Sequence, residues 1–151
     1  MEYRLANDGD ANRLSELRWD HKNEESPLDH SQRDGFIAAC SARLKEAFRD
    51  DLSCHVATDK GRIVSNIYVV AVKKVPKPGK LNGAWGYVTA VYTVPEYRNK
   101  GVGSMLMKKV KEWGRENGLE SFIVWPSQRS VPFYERAGFD EENDVMELVL
   151  E

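Results

Sequence analysis

Val91-Tyr92-Thr93-Val94-Pro95-Glu96-Tyr97-Arg98-Asn99-Lys100-Gly101-Val102-Gly103-Ser104 is the stretch where the chain changes its period. From Trp85 to Val94 the residues read as a strand, and Pro95 ends it because proline has no amide hydrogen to give a ladder. Beyond the turn, Val102, Met105, Leu106, Val110 and Trp113 share one face of a helix that stops near Gly114 or Gly118. Two glycines at a strand-to-helix turn clear side chains from the place where the first helix amides lack intrahelical partners. Those amides, with the helix dipole, suit an anion such as a pyrophosphate, and Arg98 and Lys100 add positive charge. The same glycines suit a tight turn with no ligand equally well. Walker spacing is absent, since no Lys-Ser/Thr follows the glycines, and the dinucleotide fingerprint lacks its third glycine.

Outward from this turn, Ser121 to Trp125 reads as a short strand buried on both faces. Arg129 to Ala137 is a short helix stopped by Gly138, and Val145 to Leu150 a final strand. On the other side, Tyr3 to Ala6 forms a first strand, and Asn7, Asp8, Gly9 and Asp10 are turn and cap residues. Ala11, Leu14, Leu17 and Arg18 recur at helical spacing, which predicts a helix to about Glu24, broken by Ser26-Pro27. Ser31 and Asp34 resemble a capping box before a second helix carrying Phe36, Ile37, Cys40, Leu44, Ala47 and Phe48. Strand patterns follow from Leu52 and from Ile63 to Val72, with Asp59-Lys60-Gly61 as the hairpin turn between them. Three strands joined by tight connections argue for antiparallel pairing, and the strand–helix–strand unit from 85 to 125 argues for a parallel crossover. The predicted fold is mixed α/β: a mostly antiparallel central sheet flanked by helices, one domain over 1–151.

Composition narrows the function classes. Of 151 residues 41% are hydrophobic and 30% charged, an ordinary globular mix. The net charge of −2 gives no global electrostatic reason to bind nucleic acid. The longest apolar run, Ile67 to Val72, is far too short for a membrane span, and Met1 to Leu5 holds no apolar signal core. Cys40 and Cys54 have no metal or redox spacing and read as reduced thiols of a cytoplasmic protein. His21, His30 and His55 are scattered, so no metal site is expected. Lys73, Lys74, Lys77 and Lys80 read as a solvated loop. Trp85, Trp113 and Trp125 read as core, while Trp19 and Tyr87 are candidates for an acceptor pocket.

The run from Val91 to Gly103 resembles the acetyl-CoA-binding motif of the GNAT N-acetyltransferases: a strand, a proline turn, then Arg/Gln-x-x-Gly-x-Gly/Ala at a helix start. Ser130-Val131-Pro132-Phe133-Tyr134-Glu135-Arg136-Ala137-Gly138-Phe139 looks like the family's C-terminal motif, whose tyrosine precedes a Gly-Phe pair. The separation of the two motifs and the order of elements match as well, so the resemblance spans essentially the whole chain. It implies that the fourth and fifth strands splay apart around the cofactor arm. Backbone groups of Val91, Tyr92 and Thr93 would bind that arm, and the turn of Arg98, Asn99, Lys100, Gly101, Val102, Gly103 and Ser104 the pyrophosphate. Ser127 stands where many members carry a cofactor-contacting asparagine.

The reaction that the resemblance implies is transfer of an acetyl group from acetyl-CoA to a primary amine, by direct attack through a tetrahedral intermediate. The amine must be neutral, the carbonyl oxygen needs a donor, and the sulfur leaves as a thiolate. By the resemblance the amide near Tyr92 is the oxyanion donor and Tyr134 the general acid. Many relatives carry a glutamate base on the fourth strand, but Ala84 to Val94 contains no carboxylate. Water, or the cluster of Asp20, His21, Glu24 and Glu25, is left as the base, and the cluster equally reads as a solvated helix end. The acceptor is expected to be a small-molecule or peptide amine. A homodimer is compatible with the sequence but not specified by it. The alternative reading is a non-catalytic acyl-CoA-binding or sensing domain.

Overall fold

Alternating and β-branched segments pair into one sheet in the computed structural model, which describes residues 1–141 and 144–150. Its strands are β1 (Glu2–Leu5), β2 (Leu52–Asp59), β3 (Arg62–Lys73), β4 (Ala84–Thr93) and β5 (Phe122–Val124), in the order β1-β2-β3-β4-β5. The first four are antiparallel neighbours, and β4 and β5 run parallel. Lys60 and Gly61, both at positive φ, make the two-residue turn between β2 and β3.

The helices are α1 (Ala11–Glu25), α2 (Arg33–Ala47), α3 (Val102–Glu116) and α4 (Val131–Arg136). Because side chains alternate along a strand, β2 and β3 feed two cores at once. Cys54, Val56, Ile63 and Tyr68 meet Leu14 and Leu17 of α1 on one face. Ala57, Val64, Ile67 and Val69 meet Val102, Leu106, Met107 and Val110 of α3 on the other. The predicted mixed α/β architecture is therefore the observed one.

Asn7 to Asp10 turn and cap the chain ahead of α1 as expected: the Asn7 side chain accepts from the Gly9 amide, and the Asp10 carboxylate accepts from the Asn7 amide. Other local expectations are corrected. Before α2 the capping side chain is Asp29, which accepts from the Ser31 amide, and Ser31 caps nothing. Of the two expected stops, Gly118 at φ 74° is the one that follows the end of α3; Gly114 lies inside the helix, where a Cβ would stand 2.5 Å from the Phe122 ring. Gly86 faces the same ring from β4, where a Cβ would stand 2.7 Å away. Phe122 thus sits in a notch between two glycines and fixes β5 against β4 and α3. Trp125 is not core: it is 56% exposed and stands edge-on to Tyr87 at 5.1 Å.

The final strand predicted over Val145 to Leu150 is absent. Residues 144–150 have no strand assignment, and Met146, Leu148 and Leu150 are 95%, 84% and 85% exposed. The segment is apolar at five of its six positions, a pattern for a strand covered on both faces. Propensity alone does not make a strand, so the pattern is present while residues 144–150 are not extended into the sheet.

Candidate active site

β4 and β5 pair only from Gly86 to Val88 against Phe122 to Val124. Past Val88 the two strands diverge, and one cause lies in β4 itself. Ala90 and Val91 stand opposite the single residue Ile67 of β3, a bulge that bends the strand. Ala90 takes φ 50°, a conformation that a residue with a Cβ rarely adopts. Asn66 holds it there by donating from Nδ2 to the Ala90 carbonyl at 2.7 Å. Strain kept in place by a buried side chain is a common mark of a functional backbone.

The divergence opens a cleft of about 650 Å³ that runs along Tyr87 to Thr93 on one side and Val124 to Ser127 on the other. The lining reaches Arg98, ahead of the turn into α3, and includes none of residues 99–104. Asn99 and Gly101 take positive φ, so the chain turns sharply out of β4 and into the helix. Gly101 is the N-cap, no side chain caps the helix, and the position where its Cβ would stand is open space. The first amides of α3 therefore face outward without a side-chain acceptor, which fits a phosphate-bearing ligand. Val102 is buried beneath the turn and Ser104 is exposed. Lys100 lies 5.9 Å from the centre of the Tyr97 ring.

Arg98 is engaged elsewhere. Its guanidinium grips both oxygens of Glu24 at 3.0 and 2.8 Å, its Nε donates to the Thr93 carbonyl at 2.8 Å, and it lies over the Tyr92 ring. Tyr92 Oη donates to the same Glu24 at 2.5 Å, and His21 stacks on Tyr92 at 5.0 Å. Burial opposes ionisation of Glu24, but the bonds from Tyr92 and Arg98 outweigh it and hold the carboxyl below its ordinary range. Burial, then the Glu24 bond and charge, push the Tyr92 phenol well up, so both groups keep these charge states at neutral pH. The end of α1 is thereby tied to the end of β4.

His21, Glu24 and Glu25 all line the cleft, so the acidic helix end is more than a solvated surface. The two carboxylates are committed to other partners. Glu24 is held as above, and Glu25 is paired with Lys22 at 2.6 Å and lies 3.4 Å from His21 Nε2. Burial, then Arg18, push the His21 pKa down. Of the two aromatic candidates for an acceptor pocket, Tyr87 lines the cleft. Trp19 is buried against Phe36 and His30, away from it.

Tyr134 enters the cleft from α4, a helix placed by Pro132 in its first turn. Only 7% of the residue is exposed, and its ring stands edge-on to Phe133 at 5.1 Å and to Phe139 at 5.5 Å. Its hydroxyl makes no hydrogen bond among the described residues. Burial, with a smaller contribution from nearby Tyr87, pushes its pKa up to about 12, so the phenol carries its proton throughout the working pH range. Ser127 lines the same cleft, with its hydroxyl 3.0 Å from that of Ser130. Among the described residues no three His, Cys, Asp or Glu side chains are grouped to hold a metal ion. No described helix is long and apolar enough to cross a membrane.

Three comparisons bear on this arrangement. The sequence profile of the acetyltransferase (GNAT) family matches residues 11–139. A glucosamine 6-phosphate N-acetyltransferase of Trypanosoma brucei brucei is 29% identical over 150 residues, covering 99% of this chain and 96% of that protein. The crystal structure of an acetyltransferase of Trypanosoma brucei has a TM-score of 0.73 at 28% identity, covering 99% of both chains. A crystal structure of a predicted acetyltransferase of Clostridium acetobutylicum with acetyl-CoA has a TM-score of 0.75 at 19% identity, covering 98% of this chain and 95% of that one, a likeness of fold.

Proposed function

The chain belongs to the acetyltransferase (GNAT) family, and from that premise we propose that it transfers the acetyl group of acetyl-CoA to a primary amine of a small molecule by direct attack. The observation that carries this reading is the gap between β4 and β5, with a tyrosine hydroxyl in its wall that no described residue engages; its lining extends to Arg98, and the uncapped start of α3 follows from Gly101. Acetyl-CoA supplies the thioester. The amides from Asn99 to Ser104 receive its pyrophosphate, with Lys100 beside them, and the unpaired side of Val91 to Thr93 receives its arm. Arg98 contributes through its backbone and by bracing the turn, since its side chain is committed to Glu24 and Thr93.

The new C–N bond forms as the neutral amine attacks the carbonyl carbon, and the C–S bond breaks as the tetrahedral intermediate collapses. The Tyr92 backbone amide steadies the carbonyl oxygen while it is negative. Tyr134 donates its hydroxyl hydrogen toward the departing sulfur, and the proton shed by the amine passes to water, directly or by way of His21. This route follows from the absence of a carboxylate on β4 and from the commitment of Glu24 and Glu25 to other partners, while His21 lines the cleft and, its pKa pushed down by burial, is uncharged at neutral pH. An amino-sugar phosphate, the acceptor named for the trypanosomal relative, is the first amine to try.

The test is release of the free CoA thiol in the presence of a panel of primary amines, glucosamine 6-phosphate first, with the acetylated product identified by mass. Thiol release that requires both substrates supports the reading. Binding of acetyl-CoA without transfer to any amine would replace it with that of an acyl-CoA-binding domain.

A further inference from the structure

Side chains alternate along β5, and Val124 packs against the α3 core, so Trp125 turns to the opposite face, the one toward α1. Tyr87 does the same on β4, beside buried Val88. The two rings meet edge-on at 5.1 Å across the opening between the strands, and both line the cleft. Trp125 is nevertheless 56% exposed. An indole open to solvent in a cleft wall, and steadied there by a second ring, offers a flat apolar face to whatever enters.

The charges in the lining say what else an incoming molecule should carry. Glu24 is paired with Arg98 at 2.8 Å and Glu25 with Lys22 at 2.6 Å, so a plain cationic amine finds no free counter-charge in either carboxylate. Arg129, in the same loop as Trp125, lines the cleft and has no ion pair or hydrogen bond among the described residues. Of the charged side chains in the lining it alone is uncompensated, and its charge is positive. A guanidinium presents paired N–H donors that match a carboxylate or a phosphate.

We propose that Trp125 and Arg129 together form the acceptor subsite of the cleft: the indole takes the apolar face of the incoming amine and Arg129 its anionic group. The favoured acceptors are then amines that bear a phosphate or a carboxylate. The inference rests on the acetyl-transfer reading and narrows its acceptor class.

Binding is measured by calorimetric titration of amines into the full chain saturated with CoA. Two matched pairs are used: glucosamine 6-phosphate with glucosamine, and phenylalanine with phenylalaninamide. In at least one pair the member with the anionic group is expected to bind roughly 10-fold more tightly, and the pair with the larger ratio tells phosphate from carboxylate. Arg129→Gln is expected to bring that ratio to about 1. Trp125→Ala is expected to weaken both members alike, by roughly 10-fold, and Trp125→Phe to recover most of the loss. Circular dichroism checks that each variant is folded. Wild-type ratios near 1, no binding of any of the four, a ratio that survives Arg129→Gln, or full affinity in Trp125→Ala overturns the proposal. So does an Arg129→Gln effect confined to acetyl-CoA, which would give that side chain to the cofactor's phosphates. The titrations need no turnover, so the two readings fail separately. Thiol release with wild-type ratios near 1 would leave acetyl transfer standing without this subsite. The expected ratios with no thiol release from any amine would keep the anion-selective subsite and remove the transfer.

Discussion

Tyr134 combines a ring held between two phenylalanines with a hydroxyl that no described residue engages. Replacing it with phenylalanine removes one oxygen and keeps the packing. The expected result is a fall in kcat of roughly 10²-fold with unchanged acetyl-CoA affinity. A variant that turns over at the wild-type rate would leave Tyr134 as packing alone. At ordinary values a phenol is only slightly weaker as an acid than a thiol, but burial up to about 12 widens that gap. Hydrogen bonding to the sulfur is then favoured over full proton transfer, and no alkaline limb set by Tyr134 is expected below about pH 10. His55 is the counterpart in the core. It stands edge-on to Trp113 at 4.8 Å with Nε2 buried and unpartnered, and burial lowers its pKa from 6.5 to about 4. The folded state thus excludes a proton that the unfolded chain binds. Stability should be unaffected by His55 above pH 6.5 and should decline as pH falls from there to about 4, by at most about 3 kcal/mol. Urea unfolding at pH 7 and 4.5 checks this: His55→Leu should lose less stability between the two than the wild type, and an equal loss would exclude His55 as a source.

At the scale of elements, the start of α3 is held by close packing as well as by its turn. A Cβ at Gly103 would stand 3.3 Å from Phe133 Cε2 and 3.6 Å from Thr93 Oγ1. Gly103→Val should therefore weaken acetyl-CoA binding by roughly 10-fold or more, by crowding the helix amides, and lower Tm by pressing on Phe133. Calorimetric titration that finds the wild-type affinity would put the pyrophosphate elsewhere. Element identities were legible where the period of apolar residues was long, as in α3, or where proline and glycine punctuated it, as around Pro95 and Gly61. Caps were legible in part: Asn7 to Asp10 read as turn and cap residues and are so, whereas ahead of α2 spacing pointed to Ser31 and side-chain geometry, which spacing does not encode, gives the role to Asp29. The segment 145–150 misled for a different reason: its composition describes the surroundings that a strand needs, not whether they are present.

For the molecule as a whole, a ligand that spans β4, the α3 start and the loop after β5 binds only the folded chain, so it should raise Tm. Acetyl-CoA at millimolar concentration is expected to shift the melting transition upward by several degrees, and fragments without the pyrophosphate by less. An unmoved transition would count against cofactor binding in the cleft. The glycine turn and Tyr134 were readable because each sits in a short local motif. The tie of Glu24 to Tyr92 and Arg98 was not, since its partners lie 68 and 74 residues away and only the folded sheet brings them together. Phe122 between Gly86 and Gly114 is of the same kind, with a result for how this sequence can drift over generations. The three positions form one heritable unit: alanine at 114 has room only after 122 has shrunk, and a smaller 122 leaves a void until 86 or 114 has grown. In a saturation library selected for folding, these sites should vary as a set and almost never singly.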